Sequence, residues 1–196
     1  MTKNKNNIFI ISGPSGSGKD AIINGLKKIL STNQLITTTS RPMRAGEREG
    51  RPYYFITEEQ FKKNIKQNKF FEYDFHYKNY YGLSCEEINK AKANNKISFW
   101  QAEYKGVITA KKKMPGLTAI FINSPLEVLI NRMRRREVKL DEYIFKQRIK
   151  DIKKWLKHLD IYDYIIENEE GKLDQTINQV VEIIKKTTKS PIDKTT

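Results

Sequence analysis

The chain has 196 residues, 38% of them hydrophobic and 31% charged, and a formal net charge of +14. That length suits one domain with a full core, and the absence of any run of about eighteen apolar residues excludes a helical membrane span. The single Cys85 excludes an internal disulfide, and His76 and His158, far apart in sequence, make no zinc spacing with it. The opening residues Met1 to Asn7 carry no apolar signal region, so a reducing, cytoplasmic location is expected.

Ile8-Phe9-Ile10-Ile11 reads as a buried strand, and Ala21 to Leu30 repeats apolar residues at helical spacing. Between them lies Gly13-Pro14-Ser15-Gly16-Ser17-Gly18-Lys19-Asp20. A G-x-x-x-x-G-K run in strand–loop–helix context is the pattern of a phosphate-binding loop. Its glycines let backbone N–H groups converge on phosphate oxygens, the helix N-terminus adds positive potential, and Lys19 reaches the terminal phosphates. The next position ordinarily carries a hydroxyl that binds Mg²⁺; here it is Asp20.

Leu35-Ile36-Thr37-Thr38-Thr39 predicts a second strand, followed by a loop with Pro42, Gly46 and Gly50. Tyr53-Tyr54-Phe55 is a short strand. Thr57 with Gln60 three positions on gives a capping box before a helix striped by Phe61 and Ile65. Phe70 to Tyr73 and Tyr80-Tyr81 are aromatic strands around a turn at Lys78-Asn79, and Ser84 caps a helix to about Ala93. Ile97 to Trp100 is a strand running into Gln101-Ala102-Glu103. A helix from Gly106 to Lys113, a strand from Leu117 to Ile122, and a helix from Leu126 to Arg135 behind Pro125 follow. A long amphipathic helix is expected over about Asp141 to Leu159, then a strand Tyr162 to Ile166 and a helix Leu173 to Lys185. Thr187 to Thr196 reads as a disordered polar tail.

Strands alternating with helices predict an α/β fold, a parallel sheet wound by helices on both faces. The quick aromatic strands break that rhythm. The expected organisation is a single domain over 1–196, with a core at about 8–36 and 85–186, an inserted mixed-strand lobe at about 37–84, and a helical lid at about 132–148.

Lysine carries most of the positive excess in a chain rich in Asn and Ile, a compositional bias that decorates solvated faces. Arginine is more informative. All nine fall in two blocks, Arg41, Arg44, Arg48 and Arg51, then Arg132, Arg134, Arg135, Arg136 and Arg148. Planar bidentate donors gathered in two places point to two phosphate grips rather than to a nucleic-acid surface. Arg41 and Arg44 can face one anion, with Tyr53 and Tyr81 adding phenolic donors. Glu72, ending an apolar strand, offers a carboxylate that can accept the N1–H and 2-amino donors of guanine, a pair that adenine lacks.

These residues resemble guanylate kinase, a P-loop enzyme that phosphorylates GMP with ATP. The likeness spans Ile8 to about Ile184 and is densest in T-T-x-S-R-P-x-R-x-G-E-x-x-G-x-x-Y, F-F-E-Y and N-Y-Y-G. The resemblance implies that Thr37 and Glu72 contact guanine, that Arg41, Arg44, Tyr53 and Tyr81 hold the GMP phosphate, and that Arg132 and Arg136 are lid arginines over the ATP phosphates. Arg148 would reach the transferring phosphoryl group. ATP and GMP would be the substrates, Mg²⁺ the cofactor, and neither membrane nor nucleic acid a partner; the oligomeric state is not legible.

Three positions depart from the family pattern. Asp20 replaces the metal-binding hydroxyl, Leu83 stands where a Ser or Thr is usual after Y-G, and a D-x-D becomes Gln101-Ala102-Glu103. Glu103 keeps a carboxylate for the bound GMP, and Asp20 can supply beside Mg²⁺ the acid that Gln101 lacks. A catalytically weak guanylate-kinase-like binding module is the alternative of another class, disfavoured by the intact Gly18-Lys19. The G-K-D ending also resembles ribose bisphosphate kinases, which lack the G-E-x-x-G-x-x-Y run.

Overall fold

The computed structural model describes residues 7–94, 96–136 and 142–188. Its centre is a five-stranded parallel sheet of β1 (Ile8–Ser12), β2 (Thr32–Gln34), β7 (Ile97–Trp100), β8 (Thr118–Asn123) and β9 (Tyr164–Glu167), in the order β2-β7-β1-β8-β9. Every residue of β1 and β7 is buried, as a parallel strand covered on both faces requires. Alternate side chains feed two cores. Phe9 and Ile11 pack with Ile22 and Leu26 of α1 (Lys19–Ile29) and Val180 and Ile184 of α7 (Leu173–Thr187). Ile8 and Ile10 join Trp100, Val107 of α4 (Tyr104–Lys113) and Trp155 of α6 (Glu142–Leu156) on the other face.

A second, mixed sheet stands beside the first, formed by β3 (Thr37–Thr39), β4 (Tyr53–Phe55), β5 (Phe70–His76) and β6 (Asn79–Ser84) in the order β4-β3-β6-β5. β3 runs parallel to β4 and antiparallel to β6, which pairs with β5. α2 (Glu58–Lys66) bridges β4 and β5, and α3 (Cys85–Ala93) leads back to the parallel sheet. The predicted N-caps form, Thr57 Oγ1 accepting from the Gln60 amide and Ser84 Oγ from the Glu87 amide, while the Gln60 side chain donates forward to Asn64 Oδ1. α5 (Leu126–Arg136) follows β8.

Several boundaries differ from expectation. The single strand predicted over Leu35 to Thr39 is divided between the sheets. Leu35 N still bonds Phe99 O of the parallel sheet, but the Ile36 amide donates to the buried Glu87 carboxylate of α3 at 2.9 Å, and the chain then turns away into β3. That break depends on an acceptor fifty-one residues on, and nothing in the local β-branched run signals it. The β5–β6 turn falls at Tyr77-Lys78, not Lys78-Asn79. Both residues take positive φ, 48° and 63°, as a tight two-residue hairpin turn demands. α4 starts at Tyr104, ahead of Gly106, and α6 stops at Leu156 before a 3-10 turn at Leu159–Ile161. The last strand is Tyr164–Glu167, later than predicted. Thr187 still belongs to α7 and Thr188 is buried, so the predicted tail does not begin at Thr187; its remainder lies outside the described residues. The predicted lid includes residues 137–141, which are likewise outside them. Among the described residues no helix is long and apolar enough to cross a membrane.

Candidate active site

The site grows from the end of β1. Gly13 takes a φ of 146° and passes so close to the Ile122 carbonyl that a Cβ would overlap it; Gly18 takes φ 91° as the N-cap of α1, its Cα against the Asn168 amide. Only glycine permits both geometries. Lys19, the first helical residue, folds back so that Nζ donates to the carbonyls of Gly13 and Pro14 at 2.6 and 3.0 Å. This loop wraps the N-terminus of an eleven-residue helix, where the first-turn amides and the helix dipole favour an anion. Ser17 is turned inward, fully buried, and its carbonyl accepts from Asn168 Nδ2 at 2.8 Å. The remaining loop residues, Gly13 to Gly16 and Gly18 to Asp20, line a cleft of about 660 Å³.

The second sheet forms the opposite wall. Thr37, Arg41, Arg44, Tyr53, Glu72 and Tyr81 all line the same cleft. Arg41 Nη2 donates to both carboxylate oxygens of Glu47, at 2.8 and 2.9 Å, while Glu47 Oε2 also accepts from the Arg44 amide. The Arg41 bond, ahead of smaller influences, holds Glu47 below the ordinary carboxylate range. The Arg41 guanidinium lies 5.6 Å from the ring centres of Tyr53 and Phe55, a cation–π seat that fixes its plane. Tyr53 packs edge-on against Tyr81, and burial pushes its hydroxyl up to about 12, so it stays a donor.

Glu72 is the deepest carboxylate of this wall, only 4% exposed. Its Oε1 accepts from Trp100 Nε1 at 3.2 Å, and its Oε2 stands where a Cβ on Gly106 would be. Burial raises it to about 8, against the opposing effect of the Trp100 bond. Burial thus disfavours its charged form, and hydrogen-bond donors brought to its oxygens would favour it.

The parallel sheet supplies the floor. Ser12 Oγ donates to Ala102 O at 2.6 Å and sets the 101–103 segment beside the phosphate loop. Gln101 Nε2 donates to Asp20 Oδ1 at 2.8 Å, so the two departures read from the sequence are in contact. Burial raises Glu103, offset in part by His76 and Lys19. Arg148 reaches the cleft from α6, next to Asp151. Arg132 stands beside the loop, donating to Glu170 Oε2 through Nε and Nη2 at 3.1 and 2.9 Å and to Gly16 O through Nη1 at 3.3 Å. Arg136 closes α5, but its side chain lies outside the described residues. Arg134 lies over Phe145, a packing contact. Leu83, the cross-strand partner of Glu72, is fully buried in the core beneath that wall and is not among the residues lining the cleft.

Five neighbours carry no role in the sequence reading. Glu47 bonds the Arg41 guanidinium and the Arg44 amide, and the sequence shows it only as one letter of the G-E pair. Asp74 and His76 enter the cleft from β5, and alternation along that strand, which sets Glu72, Asp74 and His76 on one face, was the available signal. Asn168 and Glu170 fix the loop and Arg132 from behind β9, more than a hundred residues from the loop, and no local pattern announces them.

A phosphate loop at the end of a buried parallel strand, facing arginines, tyrosines and carboxylates on a second sheet, is the build of a P-loop nucleoside monophosphate kinase. The family model described as guanylate kinase matches residues 5–187. A guanylate kinase of Rickettsia felis is 38% identical, covering 93% of this chain and 94% of its own, and one of Wigglesworthia glossinidia brevipalpis is 38% identical over 92% and 87%. A solved guanylate kinase from Anaplasma phagocytophilum shares the fold, with a TM-score of 0.70 at 19% identity over 97% of this chain and 91% of that one. The chain belongs to the guanylate kinase family, and it is an enzyme of the nucleoside monophosphate kinase class.

Proposed function

We propose that this chain transfers the γ-phosphoryl group of ATP to GMP, giving ADP and GDP, in the cleft between its two sheets. The observation that carries the assignment of roles is the convergence of two unlike walls on one cleft: the Lys19 loop on one side, and buried Glu72 with Arg41, Arg44, Tyr53 and Tyr81 on the other. Lys19 and the loop amides hold the ATP β- and γ-phosphates. Arg41, Arg44, Tyr53 and Tyr81 hold the GMP phosphate, while Thr37, Glu72 and Glu103 receive the guanine. Arg132, Arg148 and Arg136 neutralise charge on the group in transit.

A GMP phosphate oxygen attacks the γ-phosphorus, the bond to the β–γ bridging oxygen breaks, and ADP leaves with that electron pair. No side-chain nucleophile is required, and the protein's work is alignment and charge neutralisation. Closure of the second sheet and α6 over the pair excludes water that would otherwise hydrolyse ATP.

Magnesium accompanies ATP in this reading. Asp20 presents hard carboxylate oxygen at the loop, with Oδ1 steadied by Gln101, a donor that suits Mg²⁺. Among the described residues no group of three or more His, Cys, Asp or Glu is arranged to hold a metal unaided. An ion here would complete its shell with phosphate oxygens and water. Bound, it would neutralise charge on the β- and γ-phosphates. With one cysteine and no partner to oxidise, the chain is suited to a reducing cytoplasm.

The test is product analysis. Purified protein given Mg·ATP and GMP should yield ADP and GDP in equal amounts by chromatography; ADP without GDP would overturn the proposal.

A further inference from the structure

The end of the β5–β6 hairpin crosses the cleft and meets the parallel-sheet side at three points. Asp74 Oδ1 lies 3.5 Å from Lys105 Nζ of α4, His76 Nε2 lies 3.9 Å from Glu103 Oε1, and Tyr77 hydrogen-bonds Asp151 of α6. His76 is central to this group. Its ring stacks on Tyr81 with centroids 4.2 Å apart and planes 13° from parallel, and Nδ1 faces Asp74 Oδ2 at 3.6 Å. Nδ1 is buried and has no hydrogen-bond partner within bonding distance. Burial works against the Asp74 charge, yet His76, the Phe75 amide and Lys105 together hold it below the ordinary range. Asp74 thus places a carboxylate on the Nδ1 side of the imidazole while Glu103 faces its Nε2 side.

We infer that His76 is a positioning residue for the GMP half of the site: its ring backs Tyr81 while its Nε2 sets the place of Glu103. The inference rests on the assignment of Tyr81 and Glu103 to GMP. Its logic is geometric. Glu103 begins α4 as an extended N-cap without a side-chain capping bond, so its own helix does not fix its carboxylate. Among the described contacts, His76 is the group that reaches it from the opposite wall. Asp74, His76 and Glu103 therefore bring the second sheet against the floor of the cleft at the point where the base would lie.

The experiment is a double-mutant cycle of His76→Phe and Glu103→Gln, read as the KM for GMP and the KM for ATP. Phenylalanine keeps the ring on Tyr81 and removes both nitrogens. His76→Phe is expected to raise the KM for GMP about tenfold and to leave the KM for ATP in place, with little further effect in a Glu103→Gln background, as coupled neighbours behave. His76→Gln, whose amide N–H stands in for Nε2–H, should recover part of the loss. Full additivity of the two substitutions would overturn the inference, as would equal damage to ATP and GMP or an unchanged KM for GMP in His76→Phe. Glu103→Gln with wild-type GMP affinity would instead remove the assignment of Glu103, and the inference with it. If His76→Phe fails to fold, the cycle is run with His76→Gln and the same outcomes decide.

Discussion

Replacing Glu72 by glutamine isolates the charge that the account places on guanine. The native carboxyl is 4% exposed and raised to about 8 by burial, so near neutral pH its protonated form is favoured. Guanine offers two donors, and receiving both requires the carboxylate. GMP binding near pH 7 should then release up to about one proton, and affinity should rise severalfold between pH 7.0 and 8.5. That window lies above the second phosphate ionisation, near ~6, so the nucleotide's own titration does not mimic the effect. Glu72→Gln keeps the size and the Trp100 contact but presents one acceptor and one donor group, leaving a guanine N–H unpaired. The loss should be about 2–3 kcal/mol, roughly 30- to 150-fold in affinity, and the pH slope should vanish. The assay is isothermal titration of GMP in buffers of different ionisation enthalpy. Glu72→Gln binding like the wild type, or wild-type binding with no proton release, would refute the reasoning. Stability supplies a sign check. The native group holds its proton up to about 8 and the ordinary glutamate value is 4.5, so wild-type stability falls as pH rises between them. Glu72→Gln should gain on the wild type from pH 5 to pH 8 in denaturant melts.

Lys19→Met should lower kcat by roughly 10²–10³ with GMP affinity by calorimetry unchanged; a variant that keeps its rate would remove Lys19 from the phosphate site. Asp20→Ala should require more Mg²⁺ for half-maximal rate and Asp20→Ser should restore part of it, whereas an unchanged metal dependence in both would discard Asp20 as a ligand. Gly106→Ala drives a methyl into Glu72 Oε2 and should weaken GMP about tenfold without moving the KM for ATP. A shifted Trp100 emission would report the displaced carboxyl, and wild-type GMP affinity would show that the close approach is inconsequential.

The phosphate loop was legible because its glycines, its lysine and the strand before it are consecutive. The parallel sheet was legible for the same reason: β1 and β8 are continuous apolar runs of the kind that only a doubly covered strand needs. The departure at Asp20 pairs with that at Gln101 on sequence alone, since one adds the carboxylate the other lacks, and the 2.8 Å contact is consistent with that pairing. What escaped depends on contacts distant in sequence. The strand at Leu35 to Thr39 is divided by a carboxylate on α3. Glu47 holds Arg41 through a loop whose path the letters do not fix, and Asn168 holds Ser17 O across 151 residues. His76 and Asp74 carry no role that their own segment announces, and their meaning depends on which sheet lies across from them.

The central claim is that the second wall selects guanine while the first supplies phosphate from ATP. It is tested most directly by coupled initial rates of ADP formation with GMP, AMP, UMP and ribose 1,5-bisphosphate as acceptors under saturating Mg·ATP. Turnover is expected with GMP, with a kcat/KM at least about 10³-fold lower for AMP, because adenine lacks the N1–H and 2-amino pair and leaves the buried Glu72 carboxylate unpaired. Comparable rates with AMP, or preferred phosphorylation of ribose 1,5-bisphosphate, would contradict it.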